Sequence, residues 1–158
     1  MAEAHYNLAG VLLELDSVPD AVEHLRKALE VDPCMAKAYD ALGGILLELE
    51  ELDGAAAAFQ SALSLDPKLF DTHVHLGHAL VRSENLTSAA AAYNSALSIE
   101  QQADVYVHLG ELRRSQGENA AATELFRQAL QLEPDSEDIG ARYRELLNES
   151  CSHILVGR

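Results

Sequence analysis

Tryptophan is absent from this chain and aromatic residues make up only 5% of it, while Ala and Leu dominate a hydrophobic fraction of 48%. Strand-built folds draw on aromatic and β-branched side chains, so the composition favours closely packed helices. Basic residues are also scarce, with 11 Lys and Arg against 26 Asp and Glu and a formal charge of -15. That deficit argues against a phosphate-binding surface, and nucleic acid is not expected as a partner. Much of the acidity falls on helix faces and in first turns, where carboxylates are ordinary.

Cys34 and Cys151 share no CxxC spacing and have no histidine at zinc-ligand spacing, so neither a disulfide framework nor a zinc motif is expected. No apolar run reaches membrane-spanning length, and the first residues lack a signal pattern. A membrane partner is not expected, and the expected location is cytoplasmic. Also missing are a glycine-rich phosphate loop, an HExxH pair and a nucleophile with a base beside it. No catalytic residue, metal or cofactor is therefore expected.

What the chain does have is self-similarity, which outranks any single-site motif. Tyr39, Leu42, Gly43, Leu46, Ala55, Phe59, Ala62 and Pro67 recur 34 residues upstream as His5, Leu8, Ala9, Leu12, Ala21, Leu25, Ala28 and Pro33. Downstream they return as His73, Leu76, Gly77, Leu80, Ala89, Tyr93 and Ala96, and once more as Tyr106, Leu109, Gly110, Ala122, Phe126, Ala129 and Pro134. Each copy reads as two amphipathic helices, with Asp-Pro or Glu-Pro ending three of the four because the residue before proline leaves the α region. The last spacing is 33, which places a one-residue deletion in the loop near residues 100–103. Small residues mark close helix approach: Gly43, Gly77 and Gly110 are expected to face Ala55, Ala89 and Ala122 across each pair. A ninth helix, about residues 136–149, presents one apolar stripe (Ile139, Tyr143, Leu146, Leu147) to the end of the stack. Residues 150–158 are expected to fray.

This pattern resembles the tetratricopeptide repeat family across residues 2–134, with the ninth helix as the terminal solvating helix. The resemblance implies an all-α fold, a right-handed α-solenoid of antiparallel helix hairpins, with repeats at about 2–35, 36–69, 70–102 and 103–136. Departures are Ala9 at a glycine position, His5 and His73 at aromatic positions, Gln101 at the proline position and Arg113 at an apolar one.

By the same resemblance the first helices line a concave groove that holds a peptide of a partner protein. The stripes opposite the Leu-Gly packing side are Glu3, Asn7, Gly10, Glu14; Lys37, Ala41, Gly44, Glu48; Asp71, His75, His78, Arg82; and Asp104, His108, Glu111, Ser115. The candidate peptide-binding residues are Asn7, Lys37, Asp40, Asp71, His75, His78, Arg82, Asp104, His108 and Glu111. Gly10 and Gly44 leave the N-terminal half open, and the C-terminal half carries polar hooks. Six carboxylates on the stripes against Lys37 and Arg82 predict a basic or neutral ligand. Some family members clamp the acidic C-terminus of heat-shock chaperones, but the matching positions here, Tyr6, Gly10, Ala41, Asp71 and His75, supply no Lys, Arg or Asn. No such clamp is expected. For His75, His78 and His108, solvated groove histidines are the leading reading, ahead of ligand contact and of a transition-metal site. His73 is expected on the core side of its helix.

The expected function is thus an adaptor that binds a peptide segment of another protein, as a monomer or with weak self-association. The alternative is the substrate-recruiting arm of a larger enzyme such as a protein glycosyltransferase, which the abrupt start and short tail favour.

Overall fold

The structure, a computed structural model, describes residues 1–156, with side chains described as far as Glu149. Its elements are α1 (Ala2–Glu14), α2 (Val18–Val31), α3 (Ala36–Glu48), α4 (Leu52–Leu65), α5 (Phe70–Arg82), α6 (Leu86–Ile99), α7 (Ala103–Ser115), α8 (Asn119–Leu132) and α9 (Glu137–Val156). Among the described residues there is no strand. The all-α class follows from this order, as antiparallel hairpins of the α-solenoid type.

Local chemistry sets the breaks. Between the helices of each pair one residue adopts a left-handed backbone: Asp16 (φ 58°), Glu50 (φ 63°), Glu84 (φ 61°) and Gly117 (φ 78°). Only the last pair uses glycine, which adopts this conformation without a Cβ penalty. Pro19 sits in the first turn of α2, where its missing N–H has no helical partner to lose. In the loops between pairs, the Asp32 and Asp66 carboxylates each accept the N–H two residues on, from Cys34 and Lys68, at 3.0 Å. The loop after α6 covers residues 100–102 where the preceding one covers 66–69, which is the deleted residue.

Two compact units divide the chain, Met1–Ala89 and Ala90–Arg158, with the boundary inside α6. In the first, Ala9, Ala21, Leu25, Ala28, Met35, Ala38 and Ile45 form one core cluster between α1, α2 and α3. In the second, Ala103, Ala122, Phe126, Ala129, Ile139 and Leu146 join α7, α8 and α9. Burying a ring such as Phe59 or Phe126 contributes about 1.5–3 kcal/mol each.

The glycines answer to those rings rather than to the alanines expected opposite them. A Cβ on Gly43 would lie 2.7 Å from two carbons of the Phe59 ring, and one on Gly110 would lie 2.9 Å from Phe126. Where the ring is replaced by Leu25, the glycine is replaced by Ala9, and both are buried.

The ninth helix does not stop near residue 149 but continues to Val156. Of the span 150–158 expected to fray, the backbone is helical as far as Val156, and the last two residues lie outside those described. Its apolar stripe does pack on the preceding pair through Ile139 and Leu146.

Candidate functional site

In the first unit the outward stripes of α1, α3 and α5 flank two open cavities. The smaller, about 300 Å³, is lined by Asn7, Gly10, Glu14, Leu13, Leu25 and Ala41 among others. The larger, about 620 Å³, is walled by Leu13, Val18, Ala41, Ile45 and Leu49, with Glu48 and His75 as its polar groups. A Cβ on Gly10 or Gly44 would meet nothing within 4 Å, so these two glycines leave space over the helix faces.

The cations of this face are already paired. Lys37 Nζ donates to Glu3 Oε1 at 2.5 Å and lies 4.6 Å from the centre of the Tyr6 ring. That bond holds the Lys37 ammonium pKa above its ordinary value. Arg82, expected as a hook, instead donates Nη1 to the Leu47 carbonyl at 3.0 Å and pairs with Glu50. It thereby satisfies a carbonyl at the C-terminal end of α3, where a cation also meets the negative end of the helix dipole. Glu14, Glu48 and Asp71 have no ion-pair partner among the described residues.

Asp40 is half-buried rather than a free contact. Its Oδ1 accepts the Thr72 hydroxyl at 2.8 Å and lies 3.9 Å from His75 Nδ1. At that separation the contact is electrostatic rather than a hydrogen bond, and it becomes an ion pair when the imidazole is protonated. Favoured by His75 first and then Thr72, the Asp40 carboxyl titrates below its ordinary range, while Asp40 raises the His75 pKa. Thr72 is 2% exposed at a position that is Ala38 in α3 and Val105 in α7, so a polar group has entered a core slot to hold this cluster. The His75 ring also sits 5.7 Å from Phe59. His78 is half-buried on α5 and Asp71 is exposed. His73 is half-buried, and its Nε2 bonds the Pro67 carbonyl at 3.0 Å, so it ties the loop instead of filling the core.

In the second unit α9 engages one of the expected hooks, Glu111. Glu111 pairs with Arg142 Nη1 at 2.5 Å, and Arg142 Nε donates to Asp138 at 2.9 Å. Arg114 binds Glu145 and Glu149 at 3.0 Å each, and Asn119 reaches Glu149 at 3.4 Å. His108 stacks on Tyr93 at 5.9 Å and 19°, where lost solvation pushes its imidazole pKa down. Asp104 is exposed. Asp138, Arg142, Glu145 and Glu149 stand 34 residues after Asp104, His108, Glu111 and Ser115. The ninth helix thus carries a fifth stripe, which the repeat spacing already implied and the sequence reading missed.

Comparison with known proteins explains this recurrence. Residues 6–69, 46–110 and 103–136 each match a family model described as tetratricopeptide repeat. The chain belongs to the tetratricopeptide repeat family. A crystal structure of MamA is 26% identical, covers 84% of this chain and 78% of its own, and has a TM-score of 0.81. MamA from Desulfovibrio magneticus RS-1 superposes with a TM-score of 0.86 at 17% identity, over 99% of this chain and 89% of that one. PilF of Pseudomonas aeruginosa gives 0.78 at 23% identity, over 97% and 70%. These likenesses are of fold. No curated protein matches the sequence.

As a tetratricopeptide repeat protein, the chain is a protein-interaction scaffold. No described helix is long and apolar enough to cross a membrane. Among the described residues no group of three or more His, Cys, Asp or Glu converges on a point where a metal ion could sit. Cys34 is exposed and free, and the Cys151 side chain lies outside those described.

Proposed function

We propose that the α1, α3 and α5 face of the first unit binds a neutral or basic peptide segment of a partner protein, as an adaptor does. The observation that carries this reading is the pairing pattern. Lys37 and Arg82 are neutralised by Glu3 and Glu50, whereas Glu14 lines the smaller cavity and Glu48 the larger with no ion-pair partner among the described residues, and Asp71 is exposed on α5. A cation or a neutral donor gains there, and an acidic segment is repelled. Asn7 offers both a donor and an acceptor to an extended backbone, and Gly10 and Gly44 give that backbone room. Asp40, Thr72 and His75 are best read as the support that fixes the imidazole edge of the larger cavity.

On α7, Glu111 is engaged by Arg142 and His108 is stacked on Tyr93, so Asp104 is the exposed charged group that stripe offers a ligand. The second unit is accordingly the weaker site. Peptides selected from a phage-displayed random library on the whole chain test the proposal. Enriched peptides are expected to carry zero or positive net charge, and to lose affinity at least tenfold with Gly10→Trp or Asp71→Lys. Enrichment of acidic peptides, or affinity unchanged in both variants, overturns it.

A further inference from the structure

The helix-to-helix turns of the first two repeats differ from the other two in a way that stability does not require. The residue that caps the C-terminus of the first helix is Leu15 in repeat one and Leu49 in repeat two, but Ser83 and Gln116 in repeats three and four. Leu15 is 71% exposed and Leu49 50% exposed, so neither is there to fill a core. A polar residue serves the same backbone position further along the same chain. Leu13, 38% exposed, adds to the edge, at a position that is Arg114 in repeat four. Clustered exposed apolar side chains of this kind mark an interaction surface.

Leu13 and Leu49 of this edge wall the larger cavity together with Val18, and Gly44, Glu48 and His75 also line it, while Leu15 stands on the turn outside that lining. The space exceeds the volume of a single aromatic or long aliphatic side chain. Its rim carries the Glu48 carboxylate, which has no ion-pair partner among the described residues, with Arg82 turned away to Glu50 and the Leu47 carbonyl. We infer that the turn edge of repeats one and two is an anchoring pocket for a bulky apolar side chain of the bound peptide, flanked in that peptide by a lysine or arginine that meets Glu48. The inference rests on the reading that the first-unit face binds a peptide, and it adds that the ligand crosses from the helix faces onto the turns.

The chain itself supplies variants that preserve the fold. Leu15→Gln and Leu49→Ser place at these caps the residues that repeats four and three already carry there. Library peptides selected on the unaltered chain are expected to share a Phe, Leu, Ile or Met next to Lys or Arg. Their affinity, measured by isothermal titration, is expected to fall tenfold or more in the double variant with its melting temperature unchanged. Glu48→Gln should remove the preference for the basic neighbour while keeping the apolar one. Peptides that lose affinity with Gly10→Trp but not with Leu15→Gln/Leu49→Ser leave the peptide-binding face standing and overturn the anchoring pocket. Peptides indifferent to both sets overturn both. A light-scattering mass above the monomer that the double variant abolishes assigns the edge to a second copy, which also overturns the inference.

Discussion

Replacing Gly43 by alanine ought to stabilise an isolated helix, yet in this chain it is expected to do the reverse. The helix gains about 1 kcal/mol in propensity. Against that, the new Cβ would sit 2.7 Å from two carbons of the Phe59 ring, which is fully buried and has no flexible end to move aside. Forcing a methyl group into such packing costs about 2–3 kcal/mol, so a net loss of about 1–2 kcal/mol remains. At about 2–4 °C per kcal/mol for a chain of this size, the melting temperature should fall by about 2–8 °C. Phe59→Leu alone leaves a void and costs about 1–2 kcal/mol. The two together recreate the Ala9 and Leu25 pairing of the first repeat and should come back close to the unaltered chain. Thermal and urea unfolding followed by circular dichroism gives the cycle, with a coupling of about 2 kcal/mol expected between contacting sites. A Gly43→Ala variant as stable as the parent, or a coupling near zero, would falsify the account of why the glycine stands there.

Glu84→Gly should raise stability by about 0.5–1 kcal/mol, since it relieves a left-handed backbone at the position where repeat four already uses Gly117. A lower melting temperature would count against that explanation. The Asp40 and His75 contact predicts a pH window. The raised His75 pKa contributes stability below the ordinary imidazole value and loses it as pH rises through the raised one. The depressed Asp40 pKa contributes above the ordinary carboxylate value and loses it as pH falls. Asp40→Asn is therefore expected to destabilise most between about pH 4 and 6.5 and least above it, and to lower the His75 pKa in a proton NMR titration. An unmoved His75 titration refutes the pairing. An acidic C-terminal peptide of the chaperone type should show no saturable binding by fluorescence anisotropy, and micromolar affinity would sink the charge argument.

The hairpin order was legible in the sequence because every repeat must offer its neighbours the same faces, so the period survives at Leu42, Ala55, Phe59 and Ala62 whatever else drifts. The deleted residue before α7 was legible for the same reason: only a loop can absorb it without rotating a packed face. The end of α9 was not, since no proline or glycine follows Glu149 within the helix and the sequence reading stopped the apolar stripe at Leu147. The state of the charges was harder still. Lys37 and Glu3 occupy one position in successive repeats, so stacking alone brings them together, and the spacing of 34 contained that pairing. Arg82 carries no such signal, because it reaches back to the turn residue Glu50 and a backbone carbonyl that no pattern of side chains reveals.

On the proposed reading, that asymmetry sets which end of the chain is the better receptor. In the second unit, Arg142 and Arg114 pair directly with four carboxylates, those of Glu111, Asp138, Glu145 and Glu149. A ligand approaching there must displace contacts between solvent-exposed groups, each of which contributes little, and it gains little net charge attraction in return. In the first unit the same kind of exposed pair ties up the two cations, so what is left facing solvent is carboxylate, a carboxamide and open volume. By formal charge the first unit is the more acidic, with 15 carboxylates against five Lys and Arg, where the second has 11 against six. On the proposed reading, that charge and the pairing, set by which neighbour each arginine and lysine can reach, together make the first unit the more attractive to a basic segment.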